Sequence, residues 1–161
     1  MHSLDVYPST SDCGFARESP VLDLVVNARM RYQIGGTPTH YFSGIAVCAV
    51  GAVWAADGIP EAQAHEVEIA VKEPCEIEAW MSDNAKAAMK LLDEATTELY
   101  PETSDCPGYL GPLECLNQTP YAGESFATNK YRVLRVYDLV IERLKEEQES
   151  SESLDLELAA V

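Results

Sequence analysis

No apolar run in this chain is long enough to cross a bilayer. The longest, from Ile45 to Ala56, is twelve residues, where a spanning helix needs roughly 20. Bases are scarce as well. Eleven Lys and Arg stand against 27 Asp and Glu, a formal net charge of −16. Neutralising phosphates takes clustered cations, so the balance argues against direct nucleic-acid binding and toward a basic protein partner. There is no G-x-S-x-G elbow and no glycine-rich phosphate loop, so neither a serine hydrolase nor a nucleotide-binding turn is encoded locally. The five cysteines (Cys13, Cys48, Cys75, Cys106, Cys115) form no C-x-x-C pair. An odd, unpaired set reads as free thiols in a reducing compartment. The first residues, MHSLDVYPSTSDCGF, show neither the basic nor the apolar region of a secretory leader, so a cytoplasmic location is expected.

What remains is a chain of 161 residues, 47% hydrophobic, with the composition of one globular domain. The fold expected is mainly α: a single compact domain of about five helices packed around a central apolar one. Residues 1–18 read as a flexible N-terminal arm, 19–147 as the helical domain and 148–161 as a disordered acidic tail. Ser19 and Pro20 open a first helix, in which Leu22, Val25, Val26, Arg29 and Met30 follow at helical spacing until Gly35-Gly36. The stretch GIAVCAVGAVWAADG, residues 44–58, is apolar almost all round and reads as the central helix. Ser43 is its expected cap, Cys48 lies about a turn inside, and Asp57-Gly58 ends it. Residues 60–71 read as helix, although Val67, Ile69 and Val71 alternate with polar residues and a small hairpin near 66–80 is the competing possibility. Ser82 caps a helix with Ala88, Leu92, Ala95 and Leu99 on one face, ended by Pro101. Residues 103–125 read as a long loop. A last helix, from about Thr128 to Glu147, sets Leu134, Tyr137, Val140, Ile141 and Leu144 on one face.

Two segments together resemble a known family. VCAVGAVWAADG at 47–58, and LECLNQTPYAGES leading into NKYRVLRVYDLVIERLKEE, are similar to a family of small actinobacterial and actinophage proteins defined as a domain of unknown function. In it a Cys-Ala-x-Gly-Ala helix accompanies a Trp-Asn-Asp-type loop ahead of a last amphipathic helix. Leu116-Asn117-Gln118 stands here where the family shows Trp-Asn-Asp. The resemblance implies a compact helical domain and an actinobacterial or phage source, and no activity.

The chemistry on offer is thin. A cysteine nucleophile needs a thiolate, a histidine and an orienting group. Cys48, His40 and Asn117 could supply them, as a small Cys-dependent hydrolase or transferase. Val47, Ala49 and Val50 around the sulfur point instead to a core thiol. Cys106 and Cys115 lack zinc spacing, and Glu61, His65 and Glu68 lack a partner helix, so no metal or cofactor is expected. The acidity has more physical content. Residues 57–105 carry thirteen acids against three lysines, and residues 146–161 carry six acids and no base. Gathered on one face, such charge steers basic partners and can imitate a nucleic-acid backbone. The function expected is therefore an acidic protein-interaction module, an actinophage accessory protein that binds a host protein in the host cytoplasm. Its contacts would be Glu66, Glu68, Glu76, Glu78, Asp83, Glu94 and Glu98. A structural or assembly role in a virion is the third reading. The C-terminal Leu158, Ala159, Ala160 and Val161 look like the short apolar ends recognised by bacterial ATP-dependent unfoldases.

Overall fold

The structure is a computed structural model, and it describes residues 19–38, 42–64, 80–105, 111–118 and 125–160. It is mainly helical. In chain order the elements are α1 (Pro20–Gly35), β1 (Phe42–Ser43), β2 (Ala46–Val47), α2 (Ala49–Ala56), α3 (Asp83–Leu99), a 3₁₀ turn (Pro101–Asp105), α4 (Gly111–Gln118) and α5 (Phe126–Ala160). A helical turn also follows Pro60, whose carbonyl accepts from the N–H groups of Gln63 and Ala64.

The caps explain the helix boundaries. Ser19 Oγ accepts from Leu22 N–H at the start of α1, and Ser82 Oγ accepts from Ala85 N–H at the start of α3, where the sequence places both. At the end of α2 Gly58 takes φ +85, and Ile59 N–H reaches back to the Trp54 carbonyl, a closure that favours glycine. Helix α3 stops at Leu99, with Tyr100 as its C-cap and Pro101 next.

Helix α2 lies at the centre. Every residue from Ala49 to Ala55 is buried, because α1, α3 and α4 all pack on this short helix. The small residues Ala49, Gly51, Ala52 and Ala55 leave room for those neighbours, and Trp54 fills the space between them at 1% exposure. The buried face of α3 is Ala85, Ala88, Leu92 and Ala95, close to the predicted stripe. That of α5 is Val133, Val136, Tyr137 and Val140, with Leu134, Ile141 and Leu144 half-buried beside it.

Four expectations are corrected. The stretch from Ser43 to Cys48 is not helical: Phe42↔Val47 and Ser43↔Ala46 pair as a two-residue antiparallel ladder turned at Gly44, and α2 begins only at Ala49. On α1 the core side chains are Leu22, Leu24, Val25, Ala28 and Tyr32, while Val26 and Met30 face solvent. The loop expected over 103–125 contains α4, held because Leu113 and Leu116 are fully buried. Finally, α5 does not stop near Glu147 to leave a disordered tail but continues to Ala160. The polar stretch from Glu146 onward has no Gly or Pro to end it. The possible hairpin near 66–80 and most of the expected 60–71 helix lie outside the described residues.

Candidate functional site

The polar side chains that reach the centre of the fold come from α1, α2, α4 and α5. Cys48 is the N-cap of α2, and its Sγ accepts from Gly51 N–H at 3.2 Å. Sulfur is a weak acceptor. The first turn of a nearly all-apolar helix is therefore served by a second group, the carboxyl of Glu114 on α4, whose Oε2 accepts from Val50 N–H at 3.3 Å. Glu114 is fully buried. Its other oxygen accepts from Asn117 Nδ2 at 3.4 Å, one turn along the same helix. Asn117 also donates to the Thr37 carbonyl at 3.2 Å and accepts from the Tyr32 hydroxyl at 2.6 Å. Tyr137 closes the cluster: its ring stacks on Tyr32 with centroids 6.3 Å apart, and its hydroxyl donates to the Ala49 carbonyl at 2.8 Å. Lys130 Nζ lies 5.8 Å from the centre of the Tyr32 ring, within reach of a cation–π contact.

The electrostatics of this cluster oppose thiolate chemistry. Burial pushes the Cys48 thiol well above its ordinary range, and the neighbouring Glu114 pushes it further than the Gly51 and Val50 N–H groups can pull it back. Glu114 is itself raised, first by burial, against hydrogen bonds from Cys48, Val50 and Asn117 that favour its charged form. Tyr32 and Tyr137 are raised by burial and by the same acidic neighbours. A nucleophilic cysteine needs the reverse, a nearby cation and an exposed sulfur. Cys48 is 1% exposed. As arranged, the cluster ties the end of α1, the start of α2, α4 and α5 to one another through hydrogen bonds that leave Asn117 and Glu114 fully engaged.

A half-buried carboxyl sets the start of α4. Asp93 on α3 accepts from Leu113 N–H at 3.0 Å. Gly111 takes φ +82 there, and a Cβ on it would come within 2.9 Å of the Asp93 carboxylate. Burial raises Asp93 from 3.8 to about 6, against the opposing pull of Leu113 N–H. Because the folded pKa is the higher one, the stabilising contribution is complete below the unfolded value and is lost as pH rises through about 6. The wild type is therefore expected to lose up to about 3 kcal/mol from this group between pH 4 and pH 7. Asp93→Asn, which keeps the acceptor for Leu113 and removes the charge, should flatten that part of the profile. Urea midpoints of the two proteins across the range give the comparison, and parallel profiles would refute the assignment. Titration of the other acids enters both proteins alike and cancels in the difference.

The expected site residues fall as follows. Cys48 and Asn117 do come together through Glu114, while His40 lies outside the described residues. So do Glu66, Glu68, Glu76 and Glu78. Asp83, Glu94 and Glu98 are exposed along α3, but Lys90 stands between them and Glu98 is engaged by Arg143 of α5 at 2.6 Å. The acidic face expected on this helix is thus broken by bases. Leu158 is exposed near the end of α5. Cys115 is disulfide-bonded, which corrects the reading of five free thiols. Cys48 is a buried thiol outside any disulfide. Glu114, Tyr32 and Asp93 were missing from the expected set. The available signal for Glu114 was its place at i, i+3 from Asn117 within Leu113-Glu-Cys-Leu-Asn117, a pattern that needs a known helix to be read.

No protein-family model matches the chain, and no curated protein or solved structure is significantly similar to it.

Proposed function

We propose that this protein works by binding rather than by catalysis, as an acidic module that engages a basic surface on another protein. One observation carries the reading. From Glu146 to Leu158, α5 presents six acids and no base on a helix whose side chains are mostly exposed. A rigid rod of one charge sign creates a directed field, which steers oppositely charged surfaces and speeds their encounter. The closed, acidic surroundings of Cys48 speak against the alternative of a Cys-dependent enzyme. The host-protein target, the actinophage source and the use of Leu158 and the residues after it by an unfoldase rest on the resemblance and on sequence pattern.

Reversing Glu146, Glu147, Glu149 and Glu157 to lysine is expected to abolish capture of the partner while the circular dichroism spectrum is retained. All four side chains are exposed. Capture by the wild type should also weaken as salt is raised from about 0.05 to 0.5 M, over which screening shortens from roughly 14 to 4 Å. A partner retained by the reversed variant at every salt concentration would exclude electrostatic recognition through α5.

A further inference from the structure

Helix α5 carries opposite charge at its two ends. Between Phe126 and Tyr137 it has Lys130, Arg132 and Arg135 and no acid, and between Glu146 and Leu158 it has six acids and no base. Its basic end lies against α1, to which Arg29 joins it through Asp138 at 2.5 Å. On α1 the side chains of Val26, Met30 and Ile34 recur at every fourth residue and are 43%, 53% and 67% exposed, an apolar stripe beside Arg31. The acidic end carries its own apolar groups: Leu154 and Leu158, one turn apart, are 56% and 66% exposed.

These two surfaces are complementary in charge and both are apolar, yet they cannot meet within one molecule. Helix α5 is continuous from Phe126 to Ala160. Leu154 therefore lies about 24 Å beyond Asp138 along the axis, whereas Arg29, bonded to Asp138, falls within the α1 stripe between Val26 and Met30. That length equals the roughly 24 Å of α1 itself. We infer that the acidic end of α5 docks on the α1 stripe of a second copy of this chain, and that the exchange is reciprocal in an antiparallel, two-fold dimer. Two such contacts place each acidic end beside the other copy's Arg31 and Arg135 and bury four apolar side-chain sets at once. The inference rests on the reading of α5 as an interaction surface and names its first partner.

Light scattering of the full chain on a sizing column at about 0.1 M salt tests it. The expected result is a mass near twice 17.7 kDa that falls toward the monomer at high salt. Leu154→Glu with Leu158→Glu, and separately Met30→Glu with Ile34→Glu, should each give monomers with unchanged helicity, since all four side chains are exposed. Arg31→Glu with Arg135→Glu should do the same, and adding Glu149→Lys and Glu157→Lys should restore the dimer. A monomeric wild type at every concentration overturns the inference, as does a dimer that persists in both apolar variants. Capture of a basic partner is measured on the same proteins. Retention of that partner by a monomeric wild type would defeat the dimer alone, and loss of both would defeat the reading of α5 as well.

Discussion

Glu114→Ala is expected to destabilise the protein by about 2–5 kcal/mol and to open Cys48 to alkylation. The carboxyl is the acceptor for Val50 N–H at the start of α2 and for Asn117 Nδ2. Its removal leaves the buried Val50 N–H, and one N–H of Asn117 Nδ2 whose other N–H keeps the Thr37 carbonyl, without an acceptor, at about 1–3 kcal/mol each, and a small cavity in addition. One effect works the other way, because a buried carboxyl is costly to ionise. Burial accordingly raises its pKa. The sign of the pH dependence follows: Glu114 contributes most below the ordinary Glu value and progressively less as pH rises through its folded pKa. The deficit of the alanine variant should therefore be larger at pH 5 than at pH 7.5. Glu114→Gln separates shape from charge. It keeps the volume and an acceptor for Val50, sets one amide N–H group against Asn117, and should cost about 1–2 kcal/mol. Urea denaturation at the two pH values measures all three proteins, and iodoacetamide uptake under native conditions follows Cys48. An alanine variant with unchanged midpoints and an unreactive Cys48 would show that the carboxyl does not hold α2 and α4 together.

Gly35→Ala should cost about 3 kcal/mol or more, opposite in sign to the usual effect of alanine in a helix. A Cβ at this position would fall 1.7 Å from the Ile45 carbonyl oxygen and 2.7 Å from its carbon. Both belong to backbone, so no rotamer change relieves the overlap and the β1–β2 turn would have to move. That turn leads directly into the site. Gly36 bridges to Val47, and Thr37 N–H donates to the Val47 carbonyl at 2.8 Å, one residue before Cys48. Displacing it disturbs the cap of α2 as well as the end of α1. The expected signature is a lowered unfolding midpoint together with a changed near-ultraviolet signal from Trp54, which packs in the same core. A variant as stable as the wild type would mean that the turn is free to shift.

Gly35-Gly36 illustrates how far local sequence carries. The pair was legible as a helix stop, and α1 does end there. Its physical cause was not, because the neighbour that excludes a side chain is ten residues away and belongs to another element. The same division runs through α2. Its apolar composition marks it as central, and the Asp57-Gly58 ending follows from local backbone preference. Its start lies more than a turn beyond Ser43, the better cap residue by propensity. Tertiary hydrogen bonding decides instead for Cys48, because Glu114 arrives from α4 to accept from the buried Val50 N–H beside the Gly51 N–H that the sulfur accepts.

On α1 the apolar residues Val25, Val26, Leu22 and Met30 look alike to a periodicity count, and only the positions of α2 and α5 determine that Val25 goes inside and Met30 stays outside. Helix α4 lay hidden because eight residues between Gly111 and Gln118 make too little local helix to stand alone. Its stability comes from burying Leu113 and Leu116 and from the Asp93 cap.

Taken by itself, the sequence determined the helical class, the central place of the apolar stretch within 44–58, the caps at Ser19 and Ser82, and the accumulation of acid toward the C-terminal end. Those properties depend on composition, period and neighbours within a turn. Tertiary structure alone decided that Glu114, Asn117, Tyr32 and Tyr137 meet around Cys48, that α4 forms within the 103–125 stretch, and that Arg143 of α5 engages Glu98 of α3. Each of these is a contact or continuity between groups far apart in the chain, where packing of whole elements outweighs the preference of any single residue.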